Sequence, residues 1–304
     1  MPQVIVIIVV IILYGLYSML NRTFDRSKKK YLSKSKDLFG VDYSIFRQEN
    51  DWFEQIPKTE HIIESIDGLK LHASFISNQN SNLCIVLCHG YSVSRKSMSV
   101  FARHYYEVYH AHICMIDARA HGLSEGNTIG FGYLDRNDLH QWINELKLEY
   151  GPDTNFILHG VSMGASTLLY ASLDGFDSKV KGIISDSAFI DLRPIFIRQM
   201  KQIYHLPAFP FIYLVDLFMR FIYRIPFDKT NIIKQKDKLL TPCLIIHGTA
   251  DRFVPYEMAL TLNQVYPSYH RFLPVENAKH ALAYAINPIA YKEEIKAFLD
   301  DCLD

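Results

Sequence analysis

The chain has 304 residues, 49% of them hydrophobic and 21% charged, with 32 basic and 32 acidic side chains. That length and balance fit one large globular domain with additions, able to bury a sizeable core without covalent staples. The five cysteines, Cys84, Cys88, Cys114, Cys243 and Cys302, are odd in number and form no C-x-x-C, which favours a reducing compartment and no structural disulfide or zinc site.

The N-terminus is the first feature met. From Val4 to Leu20 no side chain is charged, and a run of that length lies at the short end of the spanning range of roughly 17 to 25 residues. The basic start and small-residue cleavage site of a signal peptide are both missing. The expectation is therefore an uncleaved transmembrane helix over residues 1–20, touching the membrane through residues 4–20. Residues 21–36 follow with Arg22, Arg26, Lys28, Lys29, Lys30, Lys34 and Lys36 against the single acid Asp25. Basic charge after a span and none before it predicts a single-pass protein with the C-terminal domain on the cytoplasmic side. The rest of the chain is correspondingly acidic, which argues against nucleic acid as a partner. Residues 21–58 form a basic juxtamembrane linker and a lead-in, in which Phe39, Tyr43, Phe46, Trp52 and Phe53 offer apolar contacts.

Beyond residue 59, strand-like runs recur at His61–Ser65, Lys70–Ile76, Leu83–Cys88, His112–Ile116, Asn155–Leu158, Lys181–Ser185, Pro242–Ile246 and His270–Val275. Helical patterns fall near residues 96–110, 133–150, 163–173, 256–266 and 288–303. Alternation of this kind predicts a mostly parallel sheet covered on both faces. The first two runs, joined through Asp67-Gly68, read as an antiparallel hairpin. Between Asp186 and Pro242 the connection is too long for an ordinary loop. Its aromatics and its breaks at Pro207, Pro210 and Pro226 predict a helical cap at about residues 190–238.

The chemistry is carried by Gly160-Val161-Ser162-Met163-Gly164. An apolar strand precedes it and a helical run follows, so Ser162 is expected at the tip of a strained strand-turn-helix, where the flanking glycines allow close backbone approach. A second G-x-S-x-G, Gly122-Leu123-Ser124-Glu125-Gly126, leads instead into Asn127-Thr128-Ile129-Gly130-Phe131-Gly132. That run cannot start a helix, and Ser124 reads as a loop serine. A serine nucleophile needs a base and an orienting acid. Asp251 lies just past the strand ending at Ile246, and His280 just past the strand ending at Val275. Ser162, Asp251 and His280 thus occur in the order nucleophile, acid, base, all at the carboxyl rim of a sheet. Asp186, also at a strand end, stands as the alternative acid. For the oxyanion, Met163 N–H follows the nucleophile, and Tyr91 N–H lies beyond Gly90 after the strand ending at Cys88. Among the thirteen histidines, His89, His121, His159 and His247 fall in motif loops or at strand ends, where structural hydrogen bonds are the expected role. No cluster has metal-ligand spacing and no Gly-rich loop precedes a helix as a phosphate cradle, so no metal and no nucleotide cofactor is indicated.

With these residues in view, the chain resembles the alpha/beta-hydrolase superfamily over residues 60–302, and within it the cap-bearing esterase, lipase and serine-aminopeptidase-like members. The His89-Gly90-Tyr91 run, the Asp117–Ser124 run, the elbow and the His247–Pro255 run each resemble a family block in the expected order. Ala120 departs from the pattern, standing where glycine is usual. The resemblance implies an alpha/beta-hydrolase fold over residues 59–304 and a cofactor-free serine hydrolase working through an acyl-enzyme on a small-molecule acyl substrate, expected here to be lipophilic. The same triad would also serve an acyltransferase or a small-peptide hydrolase. From another class, a catalytically inactive membrane-tethered binding module has the same outline.

Overall fold

The computed structural model describes residues 2–26, 47–79 and 81–303. The basic run from Lys28 to Lys36, and Phe39, Tyr43 and Phe46 of the lead-in, lie outside the described residues.

Eight strands form one sheet: β1 (Thr59–Glu64), β2 (Lys70–Ile76), β3 (Leu83–Cys88), β4 (His112–Ile116), β5 (Asn155–Val161), β6 (Val180–Asp186), β7 (Cys243–Gly248) and β8 (His270–Val275). Their spatial order is β1-β2-β4-β3-β5-β6-β7-β8. The β1/β2 and β2/β4 pairs are antiparallel, and every other pair is parallel. Composition explains where each strand lies. In β3, β4 and β7 every residue is buried, as continuous apolar runs require when helices cover both faces. The edge strand β1 instead alternates between exposed and half-buried side chains.

The period of two in a strand divides the core. Cys84, Val86 and Cys88 of β3 point to one face, while Leu83, Ile85 and Leu87 point to the other. The first face is covered by α4 (Asp135–Tyr150), α5 (Met163–Asp174) and α8 (Tyr256–Val265). The second is covered by α2 (Arg47–Gln55), α3 (Ser99–Val108), α9 (Ala283–Ile286) and α10 (Pro288–Leu303). Trp142, Tyr105 and Tyr291, each at most 1% exposed, anchor the two cores.

The segment after β6 contains α6 (Leu192–Ile203), α7 (Phe211–Phe221) and a 3-10 turn from Ile232 to Lys238. Phe196, Met200, Val215, Met219 and Tyr223 are buried in the first core. Phe209, Tyr213 and Phe221 are left exposed. The cap aromatics therefore divide into packing side chains and surface side chains.

Two differences from the sequence reading concern boundaries. The β5 strand runs on to Val161, three residues past the apolar run, because His159, Gly160 and Val161 pair with Ile184, Ser185 and Asp186 of β6. A ladder partner is invisible to a local pattern. The α3 helix begins at Ser99, preceded by a 3-10 turn from Arg95 to Met98.

The N-terminal helix requires a larger correction. Among the described residues no helix is long and apolar enough to cross a membrane. Its packing gives a physical reason. The helix α1 runs from Pro2 to Phe24, and Leu16, Met19, Leu20 and Phe24 are buried in the first core. Phe24 stacks on Tyr223 at 4.1 Å between ring centroids and lies 4.9 Å from Phe131. Its carbonyl accepts from Ile129 N at 2.9 Å, and Arg26 N donates to Asn127 O at 3.0 Å. The last turns thus belong to the domain rather than to a linker. What projects is about fourteen residues, or about 21 Å at 1.5 Å per residue, against a hydrocarbon core of roughly 30 Å. The expected single-pass topology finds no support in this packing. The lead-in is likewise part of the body where it is described: Phe53 of α2 is buried, and Trp52 lies 5.8 Å from Tyr106.

Candidate active site

Ser162 ends β5 with φ 55° and ψ −114°, a left-handed conformation that costs a non-glycine residue energy and persists only where the surroundings enforce it. Both flanking glycines show what enforces it. A Cβ on Gly160 would lie 2.4 Å from the Gly164 carbonyl carbon, and one on Gly164 would lie 2.0 Å from the Cys88 carbonyl oxygen. The turn is folded so tightly against itself and against β3 that no other residue fits. Its backbone is tied to the next strand, since Ser162 N donates to Asp186 O at 2.8 Å.

The loops after β7 and β8 carry the other two groups. Gly248 allows them to meet, because a Cβ there would lie 2.2 Å from Ala278 O. Thr249 N and Ala250 N donate to Val275 O and Ala278 O, each at 3.0 Å. The outcome is a linear array: Ser162 Oγ lies 2.8 Å from His280 Nε2, and His280 Nδ1 lies 2.6 Å from Asp251 Oδ2. The ionised carboxylate only accepts, so His280 Nδ1 carries the proton and Nε2 is left to accept from the serine hydroxyl. Ser162, Asp251 and His280 are each between 5% and 6% exposed.

Asp251 is held from four directions. Oδ1 accepts from Phe253 N at 2.8 Å and Val254 N at 2.9 Å. Oδ2 takes His280 and also lies 3.3 Å from His247 Nε2. Burial pushes this carboxyl up, but hydrogen bonds and charge from His247 and His280 outweigh it and hold the group well below the ordinary carboxylate range. His247 Nε2 is also 3.0 Å from Val254 O, and two acceptors at one nitrogen fix the proton there. This second histidine on the acid escaped the sequence reading, which gave His247 only a structural role. Its signal was present: four positions separate it from Asp251, across the tight turn after β7.

The remaining candidates are engaged elsewhere. His89 Nδ1 is 2.7 Å from Gly90 O, and its Nε2 accepts from Ala118 N at 3.1 Å. His159 bridges the Tyr105 and Tyr291 hydroxyls, and burial lowers it to about 3. His121 Nε2 accepts from Ser92 N at 3.3 Å. Asp186 accepts from Ser187 Oγ at 2.8 Å and from Tyr291 OH at 2.9 Å, and burial raises it. The Ser124 hydroxyl donates to Asp117 O at 2.7 Å and accepts from His72 N at 2.9 Å. The oxyanion candidates border the nucleophile. Met163 is the first residue of α5, where the N–H groups of a helix have no intrahelical acceptor. Gly90, just before Tyr91, approaches so closely that its Cβ would lie 3.4 Å from Ser162 Cβ. Among the described residues no three His, Cys, Asp or Glu side chains form a metal-binding group.

Sheet order, crossovers and the strained serine between β5 and α5 together define the alpha/beta-hydrolase fold, and the chain has that fold. A family model described as alpha/beta hydrolase fold matches residues 84–209. The chain is similar to YqkD, an uncharacterized protein of Bacillus subtilis (strain 168), with 27% identity over 275 residues, 87% of this chain and 88% of that one. Among solved structures it is similar to the Pyrococcus furiosus esterase Pf2001, with TM-score 0.67 and 22% identity over 82% of this chain and 92% of that one. It is also similar to the esterase EaEST of Exiguobacterium antarcticum, with TM-score 0.58 and 19% identity over 79% of this chain and 99% of that one.

Proposed function

We propose that the protein is a serine hydrolase that cleaves a carboxylic ester or related acyl bond through an acyl-enzyme. The observation that carries this reading is the hydrogen-bonded array Ser162–His280–Asp251, with distances of 2.8 and 2.6 Å. Ser162 Oγ attacks the acyl carbon as its proton passes to His280 Nε2. The developing oxyanion is met by Met163 N–H at the start of α5 and by Tyr91 N–H. His280 then gives the proton to the departing alkoxide, and the alcohol leaves. In the second half, water enters, His280 takes its proton, the hydroxide adds to the acyl carbon, and Ser162 departs with the proton returned. Asp251 stays ionised throughout, orienting the imidazole and stabilising its charged form. No cofactor takes part in this scheme. The esterase neighbours support the reaction class.

A fluorophosphonate probe tests the reading. Labelling of the wild-type protein, lost in Ser162→Ala and retained in Ser124→Ala, is the expected result. Unchanged labelling of Ser162→Ala would overturn it. For substrate, the proposal is an apolar acyl chain of short to medium length, supported by the apolar side chains of the cap segment. On a p-nitrophenyl ester series from acetate to palmitate, kcat/KM should rise and then fall. A steady fall from acetate would sink that part.

A further inference from the structure

From Val4 to Leu13 every residue of α1 is apolar. Val4, Val6, Ile7, Val10, Ile11 and Tyr14 are between 58% and 70% exposed. A helix apolar all round is stable only where something apolar surrounds it, and an exposed patch of this extent marks an interaction surface.

A second exposed apolar surface lies beside it. The α7 helix buries Ile212, Val215 and Met219 and turns Tyr213, Leu217 and Phe221 outward, at 60%, 54% and 72% exposure. The two helices touch where the Tyr17 and Phe218 rings come within 6.4 Å. The surface is thus built from two elements far apart in sequence.

Charge selects the occupant. Residues 21–36 carry seven basic side chains against one acidic, and residues 192–229 carry six against two, in a chain whose formal net charge is zero. The stretch that follows the exposed turns of α1 in sequence and the stretch that contains α7 are thus both basic, and the rest of the chain carries net negative charge. An apolar helix whose sequence runs on into a basic stretch fits acyl chains below anionic headgroups. The projecting reach of about 21 Å exceeds one leaflet's half of the roughly 30 Å core and falls short of the whole. Tyr14 and Tyr17 then fall towards the headgroup level that such rings favour.

We propose that the first turns of α1, together with the outward face of α7, insert into one leaflet of an anionic bilayer without crossing it. The protein rides on the membrane with its cap segment at the headgroups. Tyr91 OH donates to Thr23 O at 2.9 Å, so the inserted helix ends against the loop beside Ser162. This inference is independent of the chemistry proposed for that serine.

Flotation of the full chain with vesicles of phosphatidylcholine, with and without phosphatidylglycerol, tests it. Binding is expected to be at least tenfold stronger on the anionic vesicles and to weaken in high salt. The double variant Ile7→Glu, Ile11→Glu should lose most of the binding, and Leu217→Ser, Phe221→Ser a smaller part, with circular dichroism unchanged in both. Absence of flotation, equal binding to both vesicle types, or full binding by the α1 variant would overturn the proposal. So would cleavage of an N-terminal tag by a protease enclosed in the vesicles, which would show a spanning helix. Dimers by light scattering without vesicle binding would assign the surface to a second copy instead.

Discussion

The chain contains the same five-residue pattern twice, and the two copies end up doing opposite things. In Gly160–Gly164 the serine terminates a central strand and opens a buried helix, and both glycines are squeezed against backbone. In Gly122–Gly126 the serine lies in a loop, 0% exposed, with its hydroxyl engaged by two backbone groups. A Cβ on Gly122 would meet the Asp117 carboxylate at 2.0 Å rather than backbone. One motif aims a hydroxyl at a histidine, and the other uses a hydroxyl to close a loop. Pattern matching cannot separate them, whereas the element that follows can.

The largest effect that would break this contrast is on turnover. Ser162→Ala should lower kcat by about 10⁴ or more, while Ser124→Ala should keep kcat and instead lose about 1–3 kcal/mol of stability, because Asp117 O and His72 N lose their partner. Comparable turnover losses in the two variants would erase the distinction. Next in size is the acid. Asp251→Asn should lower kcat by about 10⁴ through a misoriented imidazole, whereas Asp186→Asn should act on stability, since its oxygens serve Ser187 and Tyr291. The reverse pattern in folded variants would exchange their roles.

A third measurement probes the ground between the motifs. Cys88, Asp117, Asp135, Gly164 and Thr167 line a small space there, and Oδ1 of Asp135 has no hydrogen-bond partner among the described residues. Burial pushes this carboxyl up to about 7. A folded-state value above the unfolded one near 3.9 means that the folded protein binds the proton more tightly. Its contribution to stability is therefore full below about pH 4 and is lost as pH rises through about 7. Asp135→Asn should flatten that dependence, with its gain over wild type at pH 8 and not at pH 4 in urea titrations. A gain equal at both values would show that no proton is involved. The smallest effect belongs to Ala120, which holds φ 60° in the loop of the second motif. Relief of that conformation in Ala120→Gly should add up to about 1 kcal/mol with turnover unchanged. A loss would mean that the buried methyl matters more than the backbone.

What the sequence disclosed follows the range of the forces involved. The strand runs and helical patterns were legible because burial on two faces writes itself into consecutive residues, as in Leu83–Cys88. The positions of Ser162, Asp251 and His280 were legible because each follows a strand at the same rim. Ala120 stood out as a departure from glycine, and its positive φ supplies the reason that glycine is usual. What escaped were contacts between distant segments. The four-residue spacing from His247 to Asp251 signals a contact across the turn, but nothing local announces that the same carboxylate also serves His280. Nothing in an apolar run from Val4 to Leu20 distinguishes lipid from the protein core in which Leu16, Met19 and Leu20 are buried beside Phe24. Hydrophobicity states that a segment must be covered, and tertiary structure decides by what.

The docking of Phe24 and the bond from Tyr91 to Thr23 give the molecule a boundary in the middle of a helix rather than in a loop. Anyone shortening the chain to rid it of its greasy start would cut by habit after the apolar run, near Ser27. That cut removes Leu16, Leu20 and Phe24 from the core and strips Tyr91 of its acceptor, so the product should be unstable and poorly active. A cut at Gly15, where an added side chain would meet nothing within 4 Å, discards the projecting turns and keeps the docked ones. The folded body begins, in this sense, about four turns into its first helix.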